Sequence, residues 1–149
     1  QGAHKVGMEA RFMGRVIAPV IEIENTVVEA GTVSEAGAFV RKGGIAVVSL
    51  EGGSDNHRFA LPNKLFQAIS VGVPVVAADL PSIAEVVAKH GIGCLYSPGD
   101  PDSFARAVER VRADYCGFLD RVQQAGFTMC WEFDRKKLLD AYAALSKRQ

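Results

Sequence analysis

Apolar residues along this chain follow two patterns, short unbroken runs and spacing at three- and four-residue steps. Residues 45–50 and 73–78 are almost uninterrupted apolar runs of strand length. Such runs are typical of parallel strands that are covered on both faces. Residues 26–31 and 92–96 are two further predicted strands, each bounded by polar residues or glycine.

Helical spacing predicts the elements between these strands. Asp100 and Pro101 form a typical helix start, and Gly91 a typical helix end, whereas Pro19 would kink the first helix. The predicted helices cover residues 8–23, 34–42 with Ser34 as the cap, 62–70, 81–90, 101–115 and 134–146, the last with Leu138, Tyr142 and Leu145 as its apolar face. Strands that alternate with helices predict a doubly wound, Rossmann-like α/β fold with a parallel sheet between two helical layers.

Composition narrows the class of protein. The chain has 149 residues, of which 17 are basic and 17 acidic, so its charges cancel and no basic stripe predicts a nucleic-acid partner. Three cysteines without a CxxC pair predict neither a metal site nor a disulfide framework, and Cys94 lies in an apolar run where a buried thiol is expected. No apolar run approaches the roughly 20 residues that span a bilayer, and no signal peptide is visible. We therefore expect a soluble cytoplasmic domain, although the start at Gln1 leaves open an excised piece or a natural subunit.

Two segments are candidates for chemistry, because ligands of open parallel sheets bind beyond the carboxyl ends of the strands. One is the turn Gly31-Thr32-Val33. The other is the polar loop of residues 51–60 and the helix that follows it. The free N–H groups and positive dipole end at the start of that helix, near Pro62, would bind an anion such as a diphosphate.

The first turns of this helix carry polar side chains whose roles stay open. Lys64 opposes the helix dipole, which a bound anion would offset, but the side chain could equally extend into water. Asn63 and Gln67 are four residues apart and share one helical face. They would bind sugar hydroxyls or simply face solvent.

Residues 61–83, LPNKLFQAISVGVPVVAADLPSI, resemble the donor-binding segment of retaining glycosyltransferases of family GT4, which have the GT-B fold. The likeness continues through residues 91–104 and weakly through Trp131 and Glu132. The resemblance implies a single nucleotide-sugar-binding domain over residues 1–149, weakly matched over 1–25 and ending in a C-terminal helix within 131–149. It also implies a UDP- or GDP-sugar as donor substrate, with no cofactor and no metal.

The resemblance assigns roles to individual residues. Lys64 becomes a phosphate contact, and the turn at residues 31–33 lies near the base. The two acidic positions of the family fall on Phe59 and Gln67, of which Gln67 can still bind ribose hydroxyls through a neutral and weaker hydrogen bond. Asn56 or His57 would replace the missing acid at Phe59, although a loop histidine is more often simply exposed. Backbone contacts with donor sugar and phosphate are implied for Ala60, Leu61, Pro62 and Asn63.

The resemblance further implies an N-terminal acceptor domain, in the same or a separate chain, and peripheral membrane association through that half. Two strands that open the family's donor domain are not recognised before residue 26. The isolated chain is therefore expected to be inactive, with the catalytic residues in the acceptor domain. A non-catalytic nucleotide-binding or partner-binding subunit is the main alternative. A sugar-nucleotide epimerase and a flavodoxin-like receiver fit less well, because their acidic groups are not found.

Overall fold

A computed structural model of the chain describes residues 10–13, 25–28 and 32–146. Two parallel sheets lie within these ranges. The first pairs β1 (Ala10–Met13) with β2 (Asn25–Val28). The second has the order β3-β4-β5, with β3 at Ala46–Val48, β4 at Val75–Ala78 and β5 at Gly93–Tyr96.

Helices occupy most of the remaining described residues. They are α1 (Val33–Gly43), α2 (Asp55–Phe59), α3 (Asn63–Ser70), α4 (Pro81–His90), α5 (Pro101–Ala113), α6 (Tyr115–Thr128) and α7 (Trp131–Ser146). As predicted, Gly91 ends α4 in the left-handed conformation at φ 61°, and Asp100 caps α5 by accepting hydrogen bonds from the backbone N–H groups of Asp102 and Ser103.

The central strand β4 is buried along its whole length and packs on both faces. Val75 and Ala77 belong to one hydrophobic cluster, which contains residues of α3, α4 and α6. Val76 belongs to a second cluster, together with Cys94 and residues of α5. Packing on both faces confirms the predicted α/β architecture, a parallel sheet between two helical layers. Cys94 is buried, as predicted.

The helix predicted over residues 8–23 is wrong at its beginning, because residues 10–13 form strand β1. Pairing with β2, with Phe12 opposite Val27, overrides the helical spacing of the apolar residues. This strand also lies before residue 26, where no strand had been recognised. Residues 14–24, including the predicted kink at Pro19, lie outside the described residues.

The start of α1 also differs from the prediction. Its cap is Thr32 rather than Ser34, because the Thr32 hydroxyl accepts a hydrogen bond from the Glu35 N–H while the Glu35 carboxylate accepts one from the Thr32 N–H. This reciprocal pair is a capping box. The polar loop of residues 51–60 likewise contains a helix, α2, which Ser54 caps.

The C-terminal third contains a helix that the sequence pattern did not separate. The helix predicted over residues 101–115 ends at Ala113, and α6 begins at Tyr115 after a break at Asp114. The final helix begins at Trp131, earlier than predicted. Its apolar residues Leu138, Tyr142 and Leu145 are exposed rather than packed on the sheet.

Candidate functional site

The carboxyl ends of β3, β4 and β5 meet at one edge of the sheet, since the three strands are parallel. A cleft of about 350 Å³ opens at this edge. Its lining comes from the segment after β3, from α2 and from the end of β5 with the loop that follows. Within the described part of the chain, the lining residues are Ser49, Leu50, Glu51, His57, Tyr96, Pro98 and Gly99.

Helix α3, whose Lys64 bonds to Ser49 of the cleft lining, begins with free backbone donors. Its cap is Pro62, whose backbone is extended (φ −72°, ψ 142°) and which makes no side-chain capping hydrogen bond. The Leu65 N–H donates to the Pro62 carbonyl oxygen at 2.9 Å. Within the described residues, the N–H groups of Asn63 and Lys64 have no partner. The start of α3 is therefore open to an anion.

Lys64 connects the start of α3 to the end of β3. Its ammonium group donates to the carbonyl oxygen of Ser49 at 2.6 Å and lies 3.2 Å from the Ser49 hydroxyl oxygen. Burial lowers the pKa of Lys64 below its usual value. The side chain is half-buried at the edge of the sheet where the parallel strands end, rather than extended into water. Two of its three N–H donors point to Ser49, which leaves one without a partner among the described residues.

Helix α2 brings His57 to the cleft. The Ser54 hydroxyl caps this helix by accepting a hydrogen bond from the His57 N–H, and the Ser82 hydroxyl donates to the carbonyl oxygen of Phe59, which ties α2 to α4. The His57 Nδ1 atom is buried and has no hydrogen-bond partner among the described residues. Asn56 is exposed and does not belong to the cleft lining. Of the two residues proposed to replace the missing acid, His57 is the one that lines the cleft.

Sequence reasoning did not single out Ser49, Glu51 or Tyr96. The Tyr96 ring is half-buried and meets the ring of Phe104 edge to face at 5.2 Å, and burial raises the pKa of the Tyr96 hydroxyl. No hydrogen bond of the described residues engages the Tyr96 hydroxyl or the Glu51 carboxylate. All three residues lie at or just after the end of a parallel strand, which is the signal that could have found them.

The predicted turn at residues 31–33 is described only in part. Gly31 lies outside the described residues, and Val33 begins α1. The Thr32 side chain is bonded to Glu35 in the capping box. The hydrogen bond from the Thr32 backbone N–H, and to a smaller extent the one from its hydroxyl, lowers the pKa of the Glu35 carboxyl group. The role of this turn near a base stays a prediction.

The other residues with predicted roles lie on both sides of the α3 start. Ala60 has extended backbone between α2 and α3, and Leu61 is exposed. Gln67 is half-buried on α3. Phe59 is 63% exposed, so the position to which the resemblance assigns an acid carries a phenyl ring that faces solvent.

The described residues contain neither a cluster of potential metal ligands nor a helix that could span a membrane. No group of three or more His, Cys, Asp and Glu side chains is placed there to hold a metal ion. No helix within those ranges has the length and apolar character needed to cross a bilayer. Independence from metal stays a prediction.

Comparisons with solved structures relate this fold to known proteins. The chain is similar to sucrose-phosphate synthase from Thermosynechococcus elongatus, with 23% identity and a TM-score of 0.59 over 85% of this chain and 31% of that one. It is also similar to the spinosyn rhamnosyltransferase SpnG complexed with thymidine diphosphate, with 17% identity and a TM-score of 0.60 over 84% of this chain and 34% of that one. The chain thus spans about a third of the length of these proteins.

Comparison of sequences identifies the family. No curated protein matches the chain. A family model described as "Glycosyl transferases group 1" matches residues 4–114, which is most of the chain. The two solved structures have a similar fold, and one of them is described as a rhamnosyltransferase, in agreement with this family match. The chain therefore belongs to the group 1 glycosyl transferases and forms an α/β domain of the GT-B kind.

Proposed function

We propose that this chain is the donor-binding domain of a GT4-like glycosyltransferase. It would bind a UDP- or GDP-sugar, from which the sugar passes to an acceptor with retention of configuration. One observation carries the proposal. The uncapped start of α3 lies at the ligand edge of the sheet, with the Lys64 ammonium group fixed beside it by Ser49.

The start of α3 suits the diphosphate of the donor. Two backbone N–H groups, of Asn63 and Lys64, are free within the described residues, and the positive end of the helix dipole favours an anion by about 0.3–2 kcal/mol. Negative charge builds on the diphosphate as the bond to the sugar breaks. Donors that are already in place stabilise that charge without reorganising. Lys64 would add its remaining N–H donor to the same group.

Other residues of the segment would hold the rest of the donor. Extended backbone at Ala60 leads into the start of α3, where Leu61, Pro62 and Asn63 would contact sugar and phosphate through their main chain. Gln67 would bind the ribose hydroxyls from the next turn of α3. Its neutral hydrogen bond is weaker than that of a carboxylate, so we expect a modest affinity for the nucleotide.

Transfer of the sugar requires a second site for the acceptor. Donor and acceptor react only when they are held together in one closed cleft. The matched part of this chain covers only 31% and 34% of the two solved structures. We propose that an N-terminal acceptor domain, in the same or a separate chain, supplies the catalytic groups, and that the 149 residues alone bind the donor without transferring it.

Calorimetric titration of the chain tests this function. UDP, GDP and thymidine diphosphate are the probes, and the matching nucleosides without phosphates are the controls. We expect at least one diphosphate to bind and its nucleoside to bind at least tenfold more weakly, because the anion site would hold the phosphates. Absence of binding by all three diphosphates to a folded sample would contradict the proposal.

A non-catalytic nucleotide-binding subunit is the second candidate. The observation that favours it is that neutral residues, Phe59 and Gln67, occupy both positions at which the family carries acids, and Phe59 faces solvent. Both candidates bind a diphosphate. They differ in the complete protein, where only the enzyme would release free nucleoside diphosphate from a nucleotide sugar when an acceptor is present.

A further inference from the structure

Helix α7 (Trp131–Ser146) is exposed along its whole length. No residue of this helix is buried, so no other element of the described chain covers it. Its large apolar side chains are between 44% and 64% exposed: Trp131, Phe133, Leu138, Leu139, Tyr142 and Leu145. A helix of 16 residues is only marginally stable on its own in water. Since contiguous exposed apolar surface marks an interaction site, we expect α7 to pack against a partner.

Most of these apolar side chains form one stripe along the helix. Trp131, Leu138, Tyr142 and Leu145 follow one another at steps of seven, four and three residues, and Arg135 occupies the remaining position of the series. Alternating steps of four and three residues are typical of the heptad repeat, in which the a and d positions face a second helix. Trp131, Leu138 and Leu145 are at d positions, and Arg135 and Tyr142 are at a positions. Such a narrow stripe suits one facing helix.

The charges of α7 favour a protein over a lipid surface as this partner. Three acidic and three basic side chains lie on the helix and cancel, whereas helices that bind anionic membranes are rich in lysine and arginine. The Lys137 ammonium group is bonded to Asp134 at 3.2 Å and lies over the ring of Phe133, outside the stripe. Arg135 lies within the stripe, where immersion in lipid without a polar or aromatic partner would be costly.

The stripe is complementary to itself when two copies of α7 run in opposite directions. In an antiparallel helix pair, each a position faces a d position of the other helix. Trp131 then faces Tyr142 of the second copy, Arg135 faces Leu138 of the second copy, and two-fold symmetry repeats both contacts. The guanidinium group of Arg135 lies one layer from the Tyr142 ring of the second copy, where a cation–π contact stabilises its charge. In a parallel pair, two Arg135 side chains would face and repel each other.

We propose that α7 is a self-association surface, which pairs with α7 of a second copy of this chain as an antiparallel two-helix coiled coil. The pairing is independent of the proposed donor binding, because α7 contributes no residue to the cleft or to the start of α3. The interface is small, since a helix of this length is about 24 Å long and two of them bury less than the roughly 1,200 Å² of a stable complex. The dimer is therefore reversible, with a dissociation constant on the order of 10 µM.

Sedimentation equilibrium of the 149-residue chain between about 1 µM and about 1 mM measures the association. We expect the mean mass to rise from the 16.0 kDa of one chain towards twice that value. Leu138→Lys puts a charge into the stripe and should weaken the dimer about tenfold or more, whereas Ala144→Lys adds the same charge on the outer side of α7 and should change it less than about twofold. Arg135→Leu removes the charge from the stripe and should strengthen the dimer about tenfold.

Spin labels at Ser146→Cys, in a chain that also carries Cys116→Ser and Cys130→Ser, measure the direction of pairing. The labels of an antiparallel pair should lie about 30 Å apart, and those of a parallel pair about 10 Å apart. The short distance, equal effects of the two lysine variants, or a wild type that stays monomeric at the highest concentration would each overturn the proposal. If that monomer co-sediments with vesicles of phosphatidylcholine and phosphatidylserine, the stripe binds lipid instead, and if it does not, the stripe belongs to a different protein partner.

Discussion

The ammonium group of Lys64 lies 2.6 Å from the carbonyl oxygen of Ser49, which connects the first turn of α3 to the residue directly after β3. Lysine in a first helical turn opposes the helix dipole, yet here the protein holds the charge at the ligand edge of the sheet. Burial lowers the pKa of Lys64, because removing the charged ammonium group from water is unfavourable. A bound anion would relieve it.

We predict that Lys64→Met weakens binding of a nucleoside diphosphate about tenfold. Methionine keeps the apolar stem but removes the charged donor, and charge-assisted hydrogen bonds are about twice as strong as neutral ones. Calorimetric titration measures the change. Lys89→Met, in the exposed last turn of α4, is the matched control. Equal losses for the two variants would exclude a specific role for Lys64.

Leu65 anchors α3 to the core, and its removal should destabilise the fold. The side chain is 0% exposed and lies in the cluster around β4. We expect Leu65→Ala to lower the free energy of unfolding by about 2–5 kcal/mol, the usual range for a buried leucine. Leu139→Ala is the control, because that leucine of α7 is 56% exposed, and its effect should stay within about 0.5 kcal/mol. Urea unfolding measures both, and a similar effect of the two substitutions would show that α3 is not packed as described.

Gly93 allows the close approach of β4 and β5. A Cβ atom at this position would overlap the carbonyl oxygen of Val75, a backbone atom of the central strand that cannot move aside. We expect Gly93→Ala to lower the free energy of unfolding by about 1–3 kcal/mol or more. Gly53→Ala should have little effect, since nothing lies within 4 Å of a Cβ atom there. Thermal unfolding of the two variants side by side would reveal the difference, and equal melting temperatures would argue against this strand pairing.

Cys94 should make the stability of the fold depend on alkaline pH. Burial raises the pKa of its thiol above the ordinary 9.0, against the smaller opposing effect of Arg110 and Arg121. The unfolded chain therefore loses this proton first. The contribution of the neutral thiol is fully present below pH 9.0 and is lost as the pH rises through the pKa of the folded state.

The measurement is the free energy of unfolding between pH 8 and pH 10 for wild type, Cys94→Ala and Cys116→Ala. The difference between wild type and Cys94→Ala should shrink as the pH rises above 9. Cys116 is exposed and lies outside the buried cluster around Cys94, so its variant is the control for removal of a thiol as such. A flat difference for Cys94→Ala would mean that the Cys94 thiol has the same pKa in the folded and unfolded chain.

The parts of the fold that depend on local sequence were predictable. Strands β3, β4 and β5 are apolar runs bounded by glycine, proline or polar residues, and Asp100 before Pro101 marks the start of α5 by itself. Strand β1 was not predictable in this way, because its conformation depends on pairing with β2, which lies further along the chain. The break between α5 and α6 was missed because apolar residues continue at helical spacing across Asp114.

The candidate site likewise has one part that adjacent residues predict and one part that depends on the tertiary structure. The start of α3 is encoded by adjacent residues, so Pro62, Asn63 and Lys64 could be named from the sequence. The cleft could not, because His57 and Tyr96 come together only through the order and direction of the strands. The bond between Lys64 and Ser49 likewise requires the three-dimensional arrangement of α3 and β3.

Amide NMR spectra of the chain test most directly whether the start of α3 binds a diphosphate. During titration with the tightest of UDP, GDP and thymidine diphosphate, we expect the largest chemical-shift changes at the backbone N–H groups of Asn63 and Lys64, which have no partner within the described residues. Changes absent from these two amides at saturation, or concentrated around Gly72 and Gly91 at the opposite edge of the sheet, would contradict it.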